Sequence, residues 1–225
     1  MKKLLCSILA LSILASGVAV CAAEPSEEEI ADLYNYEIMV GYEDGELRLD
    51  KNATRAEAVK MMCHAGMGSF GIDAEDEVHN KYFSDIPKNH WAVKYINSAV
   101  GIGILDSTED GTFNPDGDIT YNEFVKMLVR LLGYEPMAEL KGGYPAGYMA
   151  TATQIGLTKY LNFKPDDNAT RGDAAIMTAY ALDVPLMMQT AFGAQIEYNI
   201  MDGSNGTKLF TLRTLLEDYR ANIKK

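Results

Sequence analysis

The amino-acid sequence predicts an all-α fold: three copies of one helix-loop-helix unit sharing a core, followed by a small mixed C-terminal extension. Three observations predict it. A helical apolar stripe recurs at matching positions, each second helix opens on a Thr with an acid three residues later, and one loop spacing is common to the copies.

The first 23 residues stand apart from these copies. Lys2 and Lys3 precede an apolar run from Leu4 to about Val20, closed by Cys21, Ala22 and Ala23. This is the pattern of an export signal, cleaved after Ala22 or Ala23. The polar run Glu24-Pro25-Ser26-Glu27-Glu28-Glu29 does not continue a membrane span, so no membrane contact is expected after cleavage. Lipidation at Cys21 and an uncleaved anchor are the alternatives; Val20 stands where lipidation wants a small residue.

Of the 225 residues, 202 follow the signal, enough for a sizeable core. Cys6 and Cys21 leave with it, so Cys63 has no intrachain disulfide partner and reads as a small core residue on an apolar-periodic stretch. The remaining 18 basic and 32 acidic residues give a formal charge of −14. Nucleic acid is excluded as a partner, and an anionic ligand must be caught by local positive groups.

The middle copy, 78–135, is the template for 24–70 and 140–185. Its order is Phe83-Ser84-Asp85, His90-Trp91-Ala92, a helix to Gly103-Ile104, Asp110-Gly111-Thr112-Phe113, then Ile119-Thr120-Tyr121-Asn122-Glu123. In the first copy Gly45 lies nine residues before Thr54, as Gly111 does before Thr120; in the third, Phe163 lies seven before Thr170, as Phe113 does before Thr120. Phe124, Met127, Leu128, Leu131 and Leu132 form the buried stripe of the second helix. Smaller residues replace it at Ala58, Met61, Met62, Ala65 and Gly66, and at Ala174, Met177, Thr178, Ala181 and Leu182. The leading helix follows Ala92, Tyr95, Ile96, Ala99 and Val100 in the second copy and Pro145, Tyr148, Met149, Ala152 and Thr153 in the third, and lies within roughly Ser26 to Ile38 in the first. Leu47, Phe113 and Phe163 share a loop position that pins the crossover to the core.

Thr54 with Glu57, Thr120 with Glu123, and Thr170 with the shorter Asp173 have the spacing of a capping box, which needs no functional role. Arg55 and Arg171 are different. They fall at the first helical position, where the dipole mildly disfavours a cation. A guanidinium beside the free amides of a first turn offers an anion site; a solvated surface arginine is the alternative.

The order F-S-D, H-W-A, G-I, D-G-T-F-N-P and I-T-x-x-E over 83–124, with Thr-Arg-Ala-Glu at 54–57, resembles the S-layer homology (SLH) family, over roughly 28–185. The resemblance implies a pseudo-threefold bundle whose inter-repeat grooves bind secondary cell-wall polysaccharide, often carrying ketal-linked pyruvate, at Gram-positive-type envelopes. Peptidoglycan-linked glycan and other S-layer proteins are further implied partners, and the location implied is the cell wall or S-layer. Carried over residue by residue, the groove candidates are Arg55, Arg171, Trp91 and Tyr144, with Tyr121 where the motif expects arginine. Gly172-Asp173 departs from the expected Ala-Glu. One or two competent sites are expected, not three; the alternative function is a structural S-layer subunit or protein-binding adaptor with vestigial grooves.

No catalytic chemistry is legible. His64, His79 and His90 have no metal-ligand spacing, no phosphate loop occurs, and no metal or cofactor is expected. Asp106 to Gly111 resembles a calcium loop in passing, but its twelfth position is Gly117 in place of glutamate. The extension 186–225 reads as a hairpin, with strand Ile196–Ile200 and a turn at Asp202–Gly206, then a helix in the amphipathic stretch from Leu209 to Lys225. With no cargo domain behind the copies, the expectation is a free-standing anchor, a wall-associated adaptor or a truncated relative of a larger surface protein.

Overall fold

A computed structural model describes residues 24–67, 80–107, 111–191 and 196–223. The export signal read at 1–23 lies outside the described residues. Within them the chain is mostly helical, with one two-stranded antiparallel sheet.

The first copy supplies α1 (Glu27–Asn35) and α2 (Arg55–Met67), the second α3 (Val93–Gly101) and α4 (Tyr121–Leu131), the third α6 (Ala146–Gln154) and α7 (Arg171–Leu182). Between the last two lies α5 (Glu135–Leu140), which no sequence pattern marks. Its six residues are too few for a stripe, and Pro136 fits only because the first turn needs no amide there. Caps explain where the second helices begin. Thr54 Oγ1 accepts the Glu57 amide at 3.2 Å while Glu57 Oε2 accepts the Thr54 amide at 2.9 Å. Thr120 and Glu123 repeat both bonds at 3.3 and 3.0 Å. Thr170 accepts the Asp173 amide at 3.1 Å, and the shorter Asp173 turns to another partner.

Each second helix packs on the first helix of the following copy: α2 on α3, α4 on α6, and α7 back on α1. The helices α2, α4 and α7 also meet one another. At their N-terminal ends three fully buried residues of equivalent position exchange backbone hydrogen bonds in a closed ring. The Ala53 amide donates to the Ala169 carbonyl (2.9 Å), Ala169 to Ile119 (2.8 Å), and Ile119 to Ala53 (3.0 Å). Buried backbone groups must be paired, and here each copy satisfies its neighbour. Beside the ring, Asp118 accepts from the side-chain amides of both Asn52 (2.6 Å) and Asn168 (2.8 Å), which occupy its own position in the other copies.

One hydrophobic cluster runs through all the copies. Phe124, Met127, Leu128 and Leu132 are buried, as are Ala58, Met61, Met62 and Ala65 of α2. Thr178 is tolerated on α7 because its hydroxyl donates to the Ala174 carbonyl at 2.7 Å. Cys63 is buried with Sγ 3.4 Å from the Tyr95 carbonyl, and burial pushes its thiol up to about 12, so it packs as a small apolar residue.

After α7, β1 (Met187–Ala191) pairs with β2 (Glu197–Ile200), and α8 (Leu212–Ile223) packs on α2 and α7 through Leu212 and Leu216. Arg213 at its start bridges Asp32 of α1 (2.8 Å) and Asp183 (2.6 Å), tying the extension to the repeat body.

Candidate functional site

The side chain at the first position of each second helix reaches into the following copy. Arg55 donates through Nε to the Phe113 carbonyl (2.7 Å), lies over the Phe113 ring at 4.8 Å, and ion-pairs with Glu123. Arg171 donates to the Leu47 carbonyl (2.8 Å) and pairs with Glu57 (2.7 Å). Tyr121 stacks on Phe163 with centroids 4.1 Å apart and donates its hydroxyl to Asp173. The loop residues Leu47, Phe113 and Phe163 are therefore the surfaces these side chains lie against. Burial works against ionisation of Glu123, but the Thr120 amide and the Arg55 guanidinium outweigh it and hold the carboxyl below its usual range.

The first-turn amides that the sequence offers to an anion are taken. Those of Arg55 and Ala56 donate to the Gly117 and Pro115 carbonyls, those of Tyr121 and Asn122 to Asp167 and Pro165, and those of Arg171 and Gly172 to Lys51 and Leu49. With the following loop covering each helix end, the expected pairing of guanidinium and free amides does not form. Both arginines sit against the dipole because acids and carbonyls of the next copy compensate them.

Two grooves open beside these contacts. The first, about 320 Å³, is walled by Ile38 to Tyr42 and by Glu57, Lys60 and Met61 of the first copy, by Trp91 of the second and by Arg171 of the third. The second, about 220 Å³, repeats this composition one step on: Ile104 to Asp106, Glu123, Lys126 and Met127, then Tyr144, then Arg55. Each groove thus draws on all three copies. Trp91 and Tyr144 are 49% and 47% exposed, which leaves about half of each ring open to a ligand. Trp91 is steadied by stacking on His90 and by an edge contact with Tyr95, Tyr144 by an edge contact with Tyr148. Lys126 Nζ stands 5.0 Å from the centre of the Tyr144 ring.

The structure therefore brings Trp91 to Arg171 and Tyr144 to Arg55. Tyr121 enters neither groove: it is 4% exposed, held between Phe163 and Asp173, so it seals an interface and does not line a site. Lys60 and Lys126 were not singled out from the sequence. Their signal is a Lys six residues after the capping Thr in two copies, with Ile176 in the third. Asp106, the first acid of the calcium-like stretch, binds Lys126 (2.7 Å) and Arg130 (2.8 Å); residues 108–110 of that stretch lie outside the described residues. Among the described residues no three His, Cys, Asp or Glu side chains are placed to hold a metal ion, and no helix is long and apolar enough to cross a membrane.

The S-layer homology domain model matches this chain at residues 22–59 and 82–125. The chain belongs to the S-layer homology domain family. It is 32% identical over 97% of its length to the Middle cell wall protein of Brevibacillus brevis, and 28% identical over 83% to the Cell surface protein of Thermoanaerobacter kivui. It is 32% identical over 57% to the Cellulosome-anchoring protein of Acetivibrio thermocellus, of which the match covers 29%. The chain spans 21% and 25% of the first two relatives. The two matched segments overlap the first and second copies. The third is joined to them by the equivalent ring bond of Ala169, the Thr170 cap, and Arg171 in the place of Arg55.

The third interface of this SLH chain, between α7 and α1, has different chemistry. Ile176 replaces the groove lysine and Tyr121 the arginine. A cavity of about 390 Å³ lies nearby, towards the end of α7, walled by Glu28, Glu29, Asp32, Asp183, Lys159 and Arg213 among others.

Proposed function

We propose that the chain is exported and anchors non-covalently to a Gram-positive-type cell wall, its two equivalent grooves binding a carboxylate-bearing wall glycan. Secondary cell-wall polysaccharide, with a ketal-linked pyruvate as the acid, is the ligand this reading favours; a peptidoglycan-linked glycan shares the chemistry. The role is non-catalytic, and the three SLH copies are read as a pseudo-threefold bundle. The closed ring of Ala53, Ile119 and Ala169 supports that arrangement.

The observation that carries the reading is duplication. A half-open aromatic ring, a lysine, a methionine and a guanidinium recur at two interfaces, each set assembled from all three copies. A flat apolar face beside a cation suits a sugar that carries an acid: the ring covers the apolar side of the pyranose while the ammonium meets the carboxylate.

Sedimentation with isolated wall sacculi tests it. The mature chain should pellet with intact sacculi, stay in solution with sacculi stripped of their polysaccharide, and lose binding when Trp91 and Tyr144 both become Ala. Equal retention on stripped sacculi overturns the proposal. A second reading, an assembling subunit or adaptor, is favoured by the exposed apolar side chains Met188, Ile196, Tyr198 and Ile200 on the hairpin. Concentration-dependent assembly without glycan would select it.

A further inference from the structure

Both grooves take an aromatic ring from the following copy, but the residues on either side of that ring differ. The first groove has His90-Trp91-Ala92 and the second Gly143-Tyr144-Pro145. Each ring residue stands immediately before the N-cap of the next helix, Ala92 for α3 and Pro145 for α6, and neither cap has a side-chain hydrogen bond of its own. Ala92 has a backbone amide that needs an acceptor, whereas proline has none. The second copy meets that need with a histidine before the ring. The third, with no amide to satisfy, has a glycine in its place.

His90 holds Trp91 from both sides. Its carbonyl accepts the Val93 amide and its ring Nδ1 accepts the Ala92 amide, each at 3.1 Å. The imidazole also stacks on the Trp91 ring, with centroids 5.6 Å apart and planes inclined by 27°. An amide can only donate, so Nδ1 carries no proton and the neutral ring keeps its proton on Nε2, 3.3 Å from Asp116 Oδ1. The side chain is only 9% exposed, so these partners, not water, surround it. A proton added at Nδ1 sets donor against donor and breaks the Ala92 bond. The imidazolium pairs more strongly with Asp116, which offsets that loss and keeps the turn folded while the hold on Trp91 is released.

The charged groups of the surrounding elements are Asp116 on the loop before α4, Lys88 on the same turn, and Lys94 on α3. Asp85, on the strand of chain before that turn, is committed to the Phe113 and Asn114 amides. Across Trp91 the groove adds Glu57, Lys60 and Arg171. Behind it, the Tyr95 ring touches a second imidazole, His64, whose Nε2 is 3.4 Å from the Tyr95 hydroxyl.

We propose that His90 is a positioning residue for Trp91 and makes ligand binding in the first groove proton-sensitive: the neutral imidazole holds the ring in place for the glycan, and the protonated one releases it. This rests on the glycan-binding reading and adds regulation to one of its two grooves. The second groove is the internal control. Gly143 has nothing to titrate, and Glu123 and Asp106, both held below the usual carboxyl range, stay ionised wherever imidazole changes charge.

The test uses polysaccharide released from wall sacculi, titrated calorimetrically into the mature chain at about pH 7.5 and about pH 5, on the two sides of the histidine range. Tyr144→Ala leaves the first groove, and there affinity should fall at least five-fold at the lower pH. Trp91→Ala leaves the second, where affinity should change less than two-fold. His90→Asn, made in the Tyr144→Ala background, supplies an oxygen that can accept the amide two residues on but cannot be protonated. It should keep the affinity of the higher pH within about three-fold and lose the pH dependence, whereas His90→Ala should bind weakly at both pH values. The emission of Trp91, the single tryptophan of the chain, should titrate over the same range in the ligand-free protein and stop doing so in His90→Asn. A smaller fall than five-fold in the first groove overturns the proposal. So does pH dependence that survives His90→Asn, which would place it at His64 or Glu57. If the unmodified chain fails to bind at the higher pH, the anchoring reading itself is overturned and this proposal with it.

Discussion

Arg171 Nη1 of the third copy lies 2.7 Å from Glu57 Oε1 of the first, and their side chains are 6% and 17% exposed. This buried pair joins the end of the repeat series to its beginning. Removing Arg171 leaves the buried Glu57 carboxylate without a cation, held only by the Tyr42 hydroxyl (2.6 Å) and the Thr54 amide (2.9 Å), so Arg171→Ala should cost about 3 kcal/mol of stability, read from the urea midpoint. Arg171→Met with Glu57→Met should recover part of it, because no unpaired charge remains although the Thr54 amide loses its acceptor.

The corresponding pair of Arg55 with Glu123 is more open, at 19% and 35% exposure. Arg55→Ala should cost only about 1–2 kcal/mol, mostly the bond to the Phe113 carbonyl. Two arginines of identical motif position should thus behave differently in the same denaturation assay.

Ala53→Pro deletes one donor of the backbone ring and leaves the buried Ala169 carbonyl unpaired. We expect a loss of at least about 1–3 kcal/mol. Fluorescence at Trp91 and far-UV circular dichroism should still report one coincident transition, because the ring and the shared core make the copies a single cooperative unit. Two separated transitions in the unmutated chain would contradict this.

Trp91→Ala and Lys60→Ala should each weaken sacculus binding ten-fold or more, equivalent to about 1.4 kcal/mol, without moving the urea midpoint by more than about 0.5 kcal/mol. A large loss of stability on Trp91→Ala would assign that ring to packing.

Glu123 and Asp106 are both held below their ordinary carboxylate ranges in the folded chain. A depressed carboxyl contributes stability that is complete above its unfolded pKa and is lost as pH falls through the folded value. Thermal midpoints should therefore be flat from pH 7 to about 5 and fall once the pH drops below the ordinary carboxyl values of 4.5 for Glu and 3.8 for Asp. Glu123→Gln should make the acid limb of that curve shallower.

The sequence carries the local part of this architecture openly. Thr54, Thr120 and Thr170 mark helix starts because capping is settled within three residues, and the apolar stripes mark buried faces by periodicity. It does not carry the partners of Arg55 and Arg171. Glu123 is 68 residues from Arg55, and the Leu47 carbonyl 124 from Arg171, so only the closure of the copies on one another brings them together. The same closure covers the first-turn amides, which a helix read alone leaves open to an anion. Lys60 and Lys126 escaped because a lone lysine on a helix looks like any solvated charge until a second copy repeats its position. The pairing of Asp106 with Lys126 and Arg130 is illegible for a similar reason: the two partners are 20 and 24 residues away.

The packing of α7 on α1 is of the same kind as that of α2 on α3 and of α4 on α6. A closed circuit of this sort has no privileged starting point. A circular permutant that connects the end of α8 to the start of α1, and opens the chain between the first and second copies, would keep every inter-repeat hydrogen bond, including the Ala53 ring and both arginine pairs. Chain order in this molecule is then a matter of how the copies are strung, while their contacts depend on how they are arranged around the circuit.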